Sequence, residues 1–242
     1  MPFDAKGSGR TKTVLWRYHR TYYLVEPGAH SPVIRSYAPP VGSAAIHNYR
    51  RWWAVGDGIL PVTRDGRAAM LTWIGQESGQ GVQSHLSLLS GGLEPRWRIR
   101  LAGFYSWGRW LELRGGLVFA ACVLVENNRS RGRLVLIDPE RGEILRETEV
   151  GEGLIGPPVL LRSRRGVESI VIGTYKPSLV RLLNPLTLEP RWSRDFRNEK
   201  GKSLSFEVRC HVADLDRDGA EELIVVRCWD GEVVVVDPIL GE

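Results

Sequence analysis

Five carboxylates, four of them at alternating or ligand-like positions, crowd one short stretch of a chain whose basic residues outnumber its acids: ADLDRDGAEELIVV, residues 213 to 226. Counting from Asp214 as position one, Asp216 stands at three, Asp218 at five and Glu222 at nine. Gly219 falls at six and the Ala220 carbonyl at seven. Alternate positions of a tight loop turn inward, and a glycine at six lets the backbone reverse sharply. Acids this close repel one another unless a hard cation lies among them, and an all-oxygen donor set suits calcium rather than zinc. One calcium ion is therefore expected at Asp214, Asp216, Asp218, the Ala220 carbonyl and Glu222. Its role is structural, since these ligands close a turn and leave no open coordination position facing a pocket. The loop is not an EF-hand, because Val225 occupies position twelve and a strand-like run follows.

The elements that must carry the loop repeat along the chain. Runs of four to eight β-branched and aromatic residues alternate with Gly, Pro, Asn and Asp, and no long stretch has a helical period. The turn residues Ser90, Asp138, Asn184 and Asp237 recur at separations of 48, 46 and 53. The hairpin glycines Gly66, Gly116, Gly166 and Gly219 recur at 50, 50 and 53. One unit reads as four strands: PPVLLR, SIVIGTY, SLVRLLN and EPRWSRDF, between Pro157 and Phe196. Four-stranded units at this period are the signature of propeller blades, which stack because no blade buries both faces alone.

The expected fold is thus all-β: a β-propeller of about five four-stranded blades. A tail of residues 1–12 precedes a single domain of residues 13–242. Blades are expected at 20–56, 57–101, 102–150, 151–200 and 201–242. The last unit stops at VVVVDPILGE, after three strands. Residues 13–19, TVLWRYH, resemble the fourth strands EPRWRIRL and EPRWSRDF, with Trp16 answering to Trp97 and Trp192, and are expected to close the ring against it.

The pattern DLDRDGAEELIVV between strands resembles the calcium loops of FG-GAP and VCBS-type repeats, the propeller family that includes the integrin α head. The DP-x-x-GE turns and VLWRY are similar to PQQ-like repeat propellers. The likeness is specific in the last unit and generic elsewhere, and the namesake Phe-Gly and Gly-Ala-Pro are not evident; IGPPV at 155–159 is nearest. In the other units the matching turns read VTRDGRAAM, LELRGGLVF and LRSRRGVESI, the last with Leu161, Ser163 and Arg165 at the positions of the three aspartates. One metal per chain follows.

Chemistry beyond the metal is sparse. The histidines at 19, 30, 47, 85 and 211 form no zinc spacing, and no nucleophile elbow, phosphate loop or dinucleotide fingerprint is present. The larger propellers of PQQ-dependent dehydrogenases carry cofactor residues that have no counterpart here. Nine tryptophans are many for 242 residues. Trp97 and Trp192 follow the repeat and read as packing; Trp52, Trp53, Trp107 and Trp110 fall outside it and, with Arg109, are the candidate binding surface. Cys210 and Cys228 are expected to be neighbours on one buried face with Val208, Val212, Ile224 and Val226, residue 210 lying opposite 226 to 228, as reduced thiols or as a disulfide.

The composition is that of a globular domain, with a net charge of +5 and a pI near 9.3. The leading expectation is a non-enzymatic, calcium-stabilised binding or scaffold module whose partner is another protein. A carbohydrate-active enzyme with its site in the propeller funnel, or a nucleic-acid-binding propeller favoured by the positive charge, is the alternative. No apolar run is long enough to span a membrane. The start MPFDAKGSGRTK lacks the apolar stretch of a secretory signal and reads as cytoplasmic; a mature extracellular form would read the same.

Overall fold

In a computed structural model the chain is all-β. The structure describes residues 2–3, 12–18, 21–26, 33–37, 69–78, 81–90, 95–125, 131–153, 156–162, 166, 168–174, 179–196, 208–227 and 233–236. The chain divides into two units, Met1–Leu101 and Ala102–Glu242.

In the first unit, β1 (Pro2–Phe3), β2 (Lys12–Tyr18), β3 (Thr21–Glu26) and β4 (Val33–Tyr37) form one sheet in chain order. A second sheet holds β5 (Ala69–Ser78), β6 (Gly81–Ser90) and β7 (Pro95–Ala102), again in chain order. The expected closing strand, described at 13–18, belongs to the sheet of the first unit. β2 pairs with β3 from Thr13–Val25 to Tyr18–Thr21, and its start pairs with β1. The physical reason is local: only two residues separate β2 from a run, TYYLVE, that pairs with it at little loop-closure cost. The stretch expected to be a bare tail supplies β1.

The second unit holds three successive meanders. The first is β8 (Phe104–Leu113), β9 (Gly116–Val125), β10 (Arg131–Ile137) and β11 (Ile144–Glu152). The next is β12 (Val159–Arg162), β13 (Glu168–Gly173), β14 (Leu179–Leu183) and β15 (Pro190–Asp195). The last is β16 (Val208–Ala213), β17 (Glu222–Arg227) and β18 (Val233–Val236). Neighbours within each pair antiparallel. The four strands read from residues 157–196 coincide with β12 to β15 to within about two residues.

Alternation decides how the meanders stack. On β13, Ile170 and Ile172 point one way and join Leu111, Ala120, Cys122, Leu134, Leu136 and Val150 of the preceding sheet. Val171 points the other way and, with Val159, Leu161, Val180 and Leu182, meets Cys210, Leu223, Val225 and Val236 of the following sheet. A strand buried on both faces needs a continuous apolar run, and IVIG provides it. The outer strands β11 and β15 are mostly exposed and polar, and β15 begins with a proline, which cannot donate to a further ladder. The first strand β12 lies against β8 on one side and β16 on the other.

The two turns linking third to fourth strands are built alike. In one, Asp138 N–H donates to Glu143 O, Gly142 N–H to Asp138 O, and the Asp138 carboxylate accepts Glu140 N–H. In the other, Asn184 N–H donates to Glu189 O, Leu188 N–H to Asn184 O, and Asn184 Oδ1 accepts Leu186 N–H. The fifth residue has positive φ in both, 70° at Gly142 and 60° at Leu188. Leucine tolerates that conformation because its side chain is buried in the core between the first two meanders.

Candidate metal centre

β16 and β17 pair from Val208–Arg227 to Ala213–Glu222, and the eight residues between them form the acidic loop. Gly219 has φ 86° and Arg217 has φ 63°, so the backbone passes twice through the left-handed region within three residues. That curl brings one carboxylate oxygen each from Asp214, Asp216 and Asp218 within 4.8 Å of one another at the surface.

Backbone donors offset part of the repulsion. Asp218 N–H donates to Asp214 Oδ1 and to Asp216 Oδ1, both at 3.0 Å, and Gly219 N–H donates to Asp214 Oδ2 at 3.1 Å. Ala220 N–H donates to Asp218 Oδ1 at 2.7 Å. Glu222, the remaining expected carboxylate, accepts Leu215 N–H through its Oε2 at 2.7 Å. Ala220 is buried, and the group that converges is the aspartate trio. Three converging carboxylates fit a hard, oxygen-preferring cation.

The loop shares its edge with the preceding hairpins. Gly116, Gly166 and Gly219, the expected hairpin glycines, all have positive φ, at 120°, 62° and 86°. A reciprocal pair ties the acidic loop to β12: Arg162 N–H donates to Glu221 Oε2 at 2.6 Å, and Glu221 N–H donates to Arg162 O at 3.0 Å. One sheet earlier, Glu168 Oε2 accepts Arg114 N–H at 3.1 Å, while Arg162 Nη2 reaches Glu112 O at 3.0 Å and its Nε lies 3.7 Å from Glu168. Glu168 and Glu221 each follow their hairpin glycine by two residues, so one G-x-E element clasps each sheet to the sheet before it. Sequence reasoning took these turns only as lacking ligands. The signal that could have found the clasp is the repeated glutamate in Gly166-Val167-Glu168 and Gly219-Ala220-Glu221.

The candidate binding surface divides. Arg109 is exposed. Trp107 is half-buried against the core between the first two meanders, and Trp110 meets Phe119 edge-on with ring centroids 4.9 Å apart. Both indoles thus spend much of their surface on packing. Trp192 also packs, partly buried, against the core beside the last sheet. Trp52 and Trp53 lie outside the described residues, as does Cys228.

The cysteine register differs from expectation. Cys210 lies opposite Val225, not residues 226 to 228. A shift of one residue exchanges the faces, so the buried partners of Cys210 are Leu223 and Val225, while Ile224 and Val226 are only half-buried. Cys210 is a free thiol rather than half of a disulfide, and burial pushes it up to about 12; burial also raises the thiol of Cys122. Among the described residues, no helix is long and apolar enough to cross a membrane.

No family model matches the chain, and no curated protein does. Among solved structures it is similar to the crystal structure of a protein of unknown function from Bacteroides caccae, at 14% identity over 71% of this chain, with a TM-score of 0.39. The match spans 57% of that chain, little more than half its length.

Proposed function

We propose that the chain is a β-propeller of about five blades whose last blade is held by one calcium ion, and that it works by binding another macromolecule, a protein in the first place. The observation that carries this reading is the approach of the Asp214, Asp216 and Asp218 carboxylates to within 4.8 Å on a loop joined to the neighbouring sheet through Glu221. Calcium offsets two of the trio's three negative charges and fixes the loop, and the clasp passes that order to β12. Two further features support the propeller: successive meanders stacked face to face, and first strands lying side by side. The resemblance of the loop to FG-GAP and VCBS calcium loops belongs to the same proposal. Catalysis is not part of it, because the acids face one another across a turn rather than a substrate pocket.

Titration calorimetry with calcium and with magnesium, alongside melting in calcium and in chelator, tests the metal. At a calcium concentration about a hundredfold above Kd the folded state gains about 2.7 kcal/mol, a rise of roughly 5 to 10 °C for a chain of this size. Asp214→Asn with Asp216→Asn should abolish both the heat and the shift. A wild-type chain that binds no calcium at millimolar concentration, and melts alike in chelator, refutes the site.

A further inference from the structure

β18 has the composition of an inner strand but lies at the rim of its sheet. In the two preceding sheets the third strand pairs on both sides, β10 with β9 and β11, and β14 with β13 and β15. Among the described residues β18 pairs with β17 alone. The strands that end those two sheets carry what keeps further strands away. β11 has Arg146, Glu147 and Glu149, and β15 has Pro190, Arg191, Arg194 and Asp195, all exposed. β18 reads VVVV, with neither charge nor proline. Four β-branched residues at a sheet edge are a template for another strand.

Counted from the hairpin glycines Gly166 and Gly219, the ladders β13–β14 and β17–β18 correspond pair by pair. Ile170–Leu183 answers to Leu223–Val236, Val171–Leu182 to Ile224–Val235, and Gly173–Val180 to Val226–Val233. Leu182 and Val180 are buried against the following sheet, and Trp192 of β15, opposite Leu182, packs on the same core. Val235 and Val233, in the matching places, are 52% and 57% exposed, while Ile224 and Val226 beside them are half-buried. The last sheet therefore has a bare apolar strip along its rim strand, where the sheet before it takes a tryptophan.

We propose that β18 takes an added strand from a protein partner: an extended segment, antiparallel to β18, with one large aromatic residue opposite Val235 and polar residues on either side. β15 is the template, with Trp192 opposite Leu182, Ser193 opposite Arg181 and Arg194 opposite Val180. In the docked strand the ladder supplies affinity, and the aromatic ring covers Val235 and Val233 and supplies selectivity. A second copy of β18 laid edge to edge fits less well, because it extends the ladder but leaves Val233 and Val235 of both copies bare. The inference rests on the proposed function only in taking the partner to be a protein, and the calcium ion has no part in it.

The probe is a fluorescently labelled peptide, LEPRWSRDF, the sequence of residues 188–196, whose anisotropy is followed as the full chain is added. Saturable binding is expected in calcium and in chelator alike, so a failed calcium site and a failed strand edge are separate results. Replacing the peptide's tryptophan by alanine should weaken binding about tenfold or more. N-methylating its tryptophan and its serine, one of whose amides must face β18, should weaken it about as much. Val235→Lys places a charge on the strip at an exposed position and should also lose about tenfold or more, whereas Leu186→Lys, exposed on a turn, should bind as the wild type does. Should Val235→Lys fold poorly, the methylated peptide tests the ladder on the wild-type chain. No binding at about 1 mM peptide would overturn the proposal, as would equal binding of the methylated peptide. Binding that survives in a folded Val235→Lys chain would mean that the peptide displaces β15 from its own ladder, and would overturn it too. A wild-type chain that dimerises on gel filtration, with Val235→Lys remaining monomeric, would assign the edge to a second copy and equally overturn it.

Discussion

The hairpin between β12 and β13 and the loop between β16 and β17 occupy the same place in successive sheets, yet they solve the charge problem of a turn in opposite ways. The first brings Arg162 against Glu168 and the Glu112 carbonyl, a basic residue set beside an acid. The second gathers Asp214, Asp216 and Asp218 and meets them with backbone N–H groups. What they share is the glutamate two residues after the glycine, which in both reaches back to the preceding hairpin. The clasp between sheets is thus separable from the cluster of acids, and the two can be perturbed one at a time.

The largest effect should come from Glu168→Ala. Its side chain is only 11% exposed, and its loss removes the acceptor of Arg114 N–H and the carboxylate beside Arg162 Nε. A cost of about 2 to 3 kcal/mol is expected, read as a lower urea midpoint at unchanged m-value. Glu221→Ala removes the matching acceptor in the acidic hairpin and should cost about 1 to 2 kcal/mol, because the backbone half of the pair, Glu221 N–H to Arg162 O, survives. If only one variant lost stability, or neither did, the clasp would not be a repeated device.

Cys210 sharpens the comparison from inside the core, on the strand that leads into the acidic loop. Its thiol is pushed from 9.0 to about 12 by burial. Below pH 9 both folded and unfolded thiols are protonated and its contribution is complete. Above pH 9 the unfolded chain ionises first, so that contribution falls progressively until the folded thiol titrates near 12. Raising the pH from about 8 to about 10 should cost the wild type about 1 kcal/mol more than it costs Cys210→Ala. Parallel slopes would show that the thiol is not sealed between the sheets.

The smallest effect inverts with the metal. In chelator, Asp216→Asn keeps an oxygen for Asp218 N–H but removes one of three repelling charges, and should raise stability by up to about 0.5 kcal/mol. In calcium the same substitution should lower it. A destabilisation of equal size in both media would mean that the aspartates hold the loop by hydrogen bonding alone.

Much of this organisation was legible in the chain itself, wherever the cause is local. Hairpin glycines at steps of about fifty residues mark turns because positive φ is costly for any other residue, and Gly116, Gly166 and Gly219 adopt it. The run IVIG specifies a strand buried on both faces, since no polar position interrupts it. The aspartates at positions one, three and five converge because the curl of one loop sets their spacing.

Tertiary structure alone decided what depends on register and on distant partners. A shift of one residue placed Cys210 opposite Val225 and turned Ile224 and Val226 to the other face, and no local residue type fixes such a shift. The hydrogen bond from Leu215 N–H to Glu222 Oε2 likewise forms only once the loop has folded back onto β17. The glutamate clasps join residues more than fifty positions apart, so their pairing exists only once the sheets have stacked. Residues 12–18, which resemble an outer strand in sequence, went to β3 because a partner two residues away forms a ladder at far lower entropic cost than one at the other end of the chain.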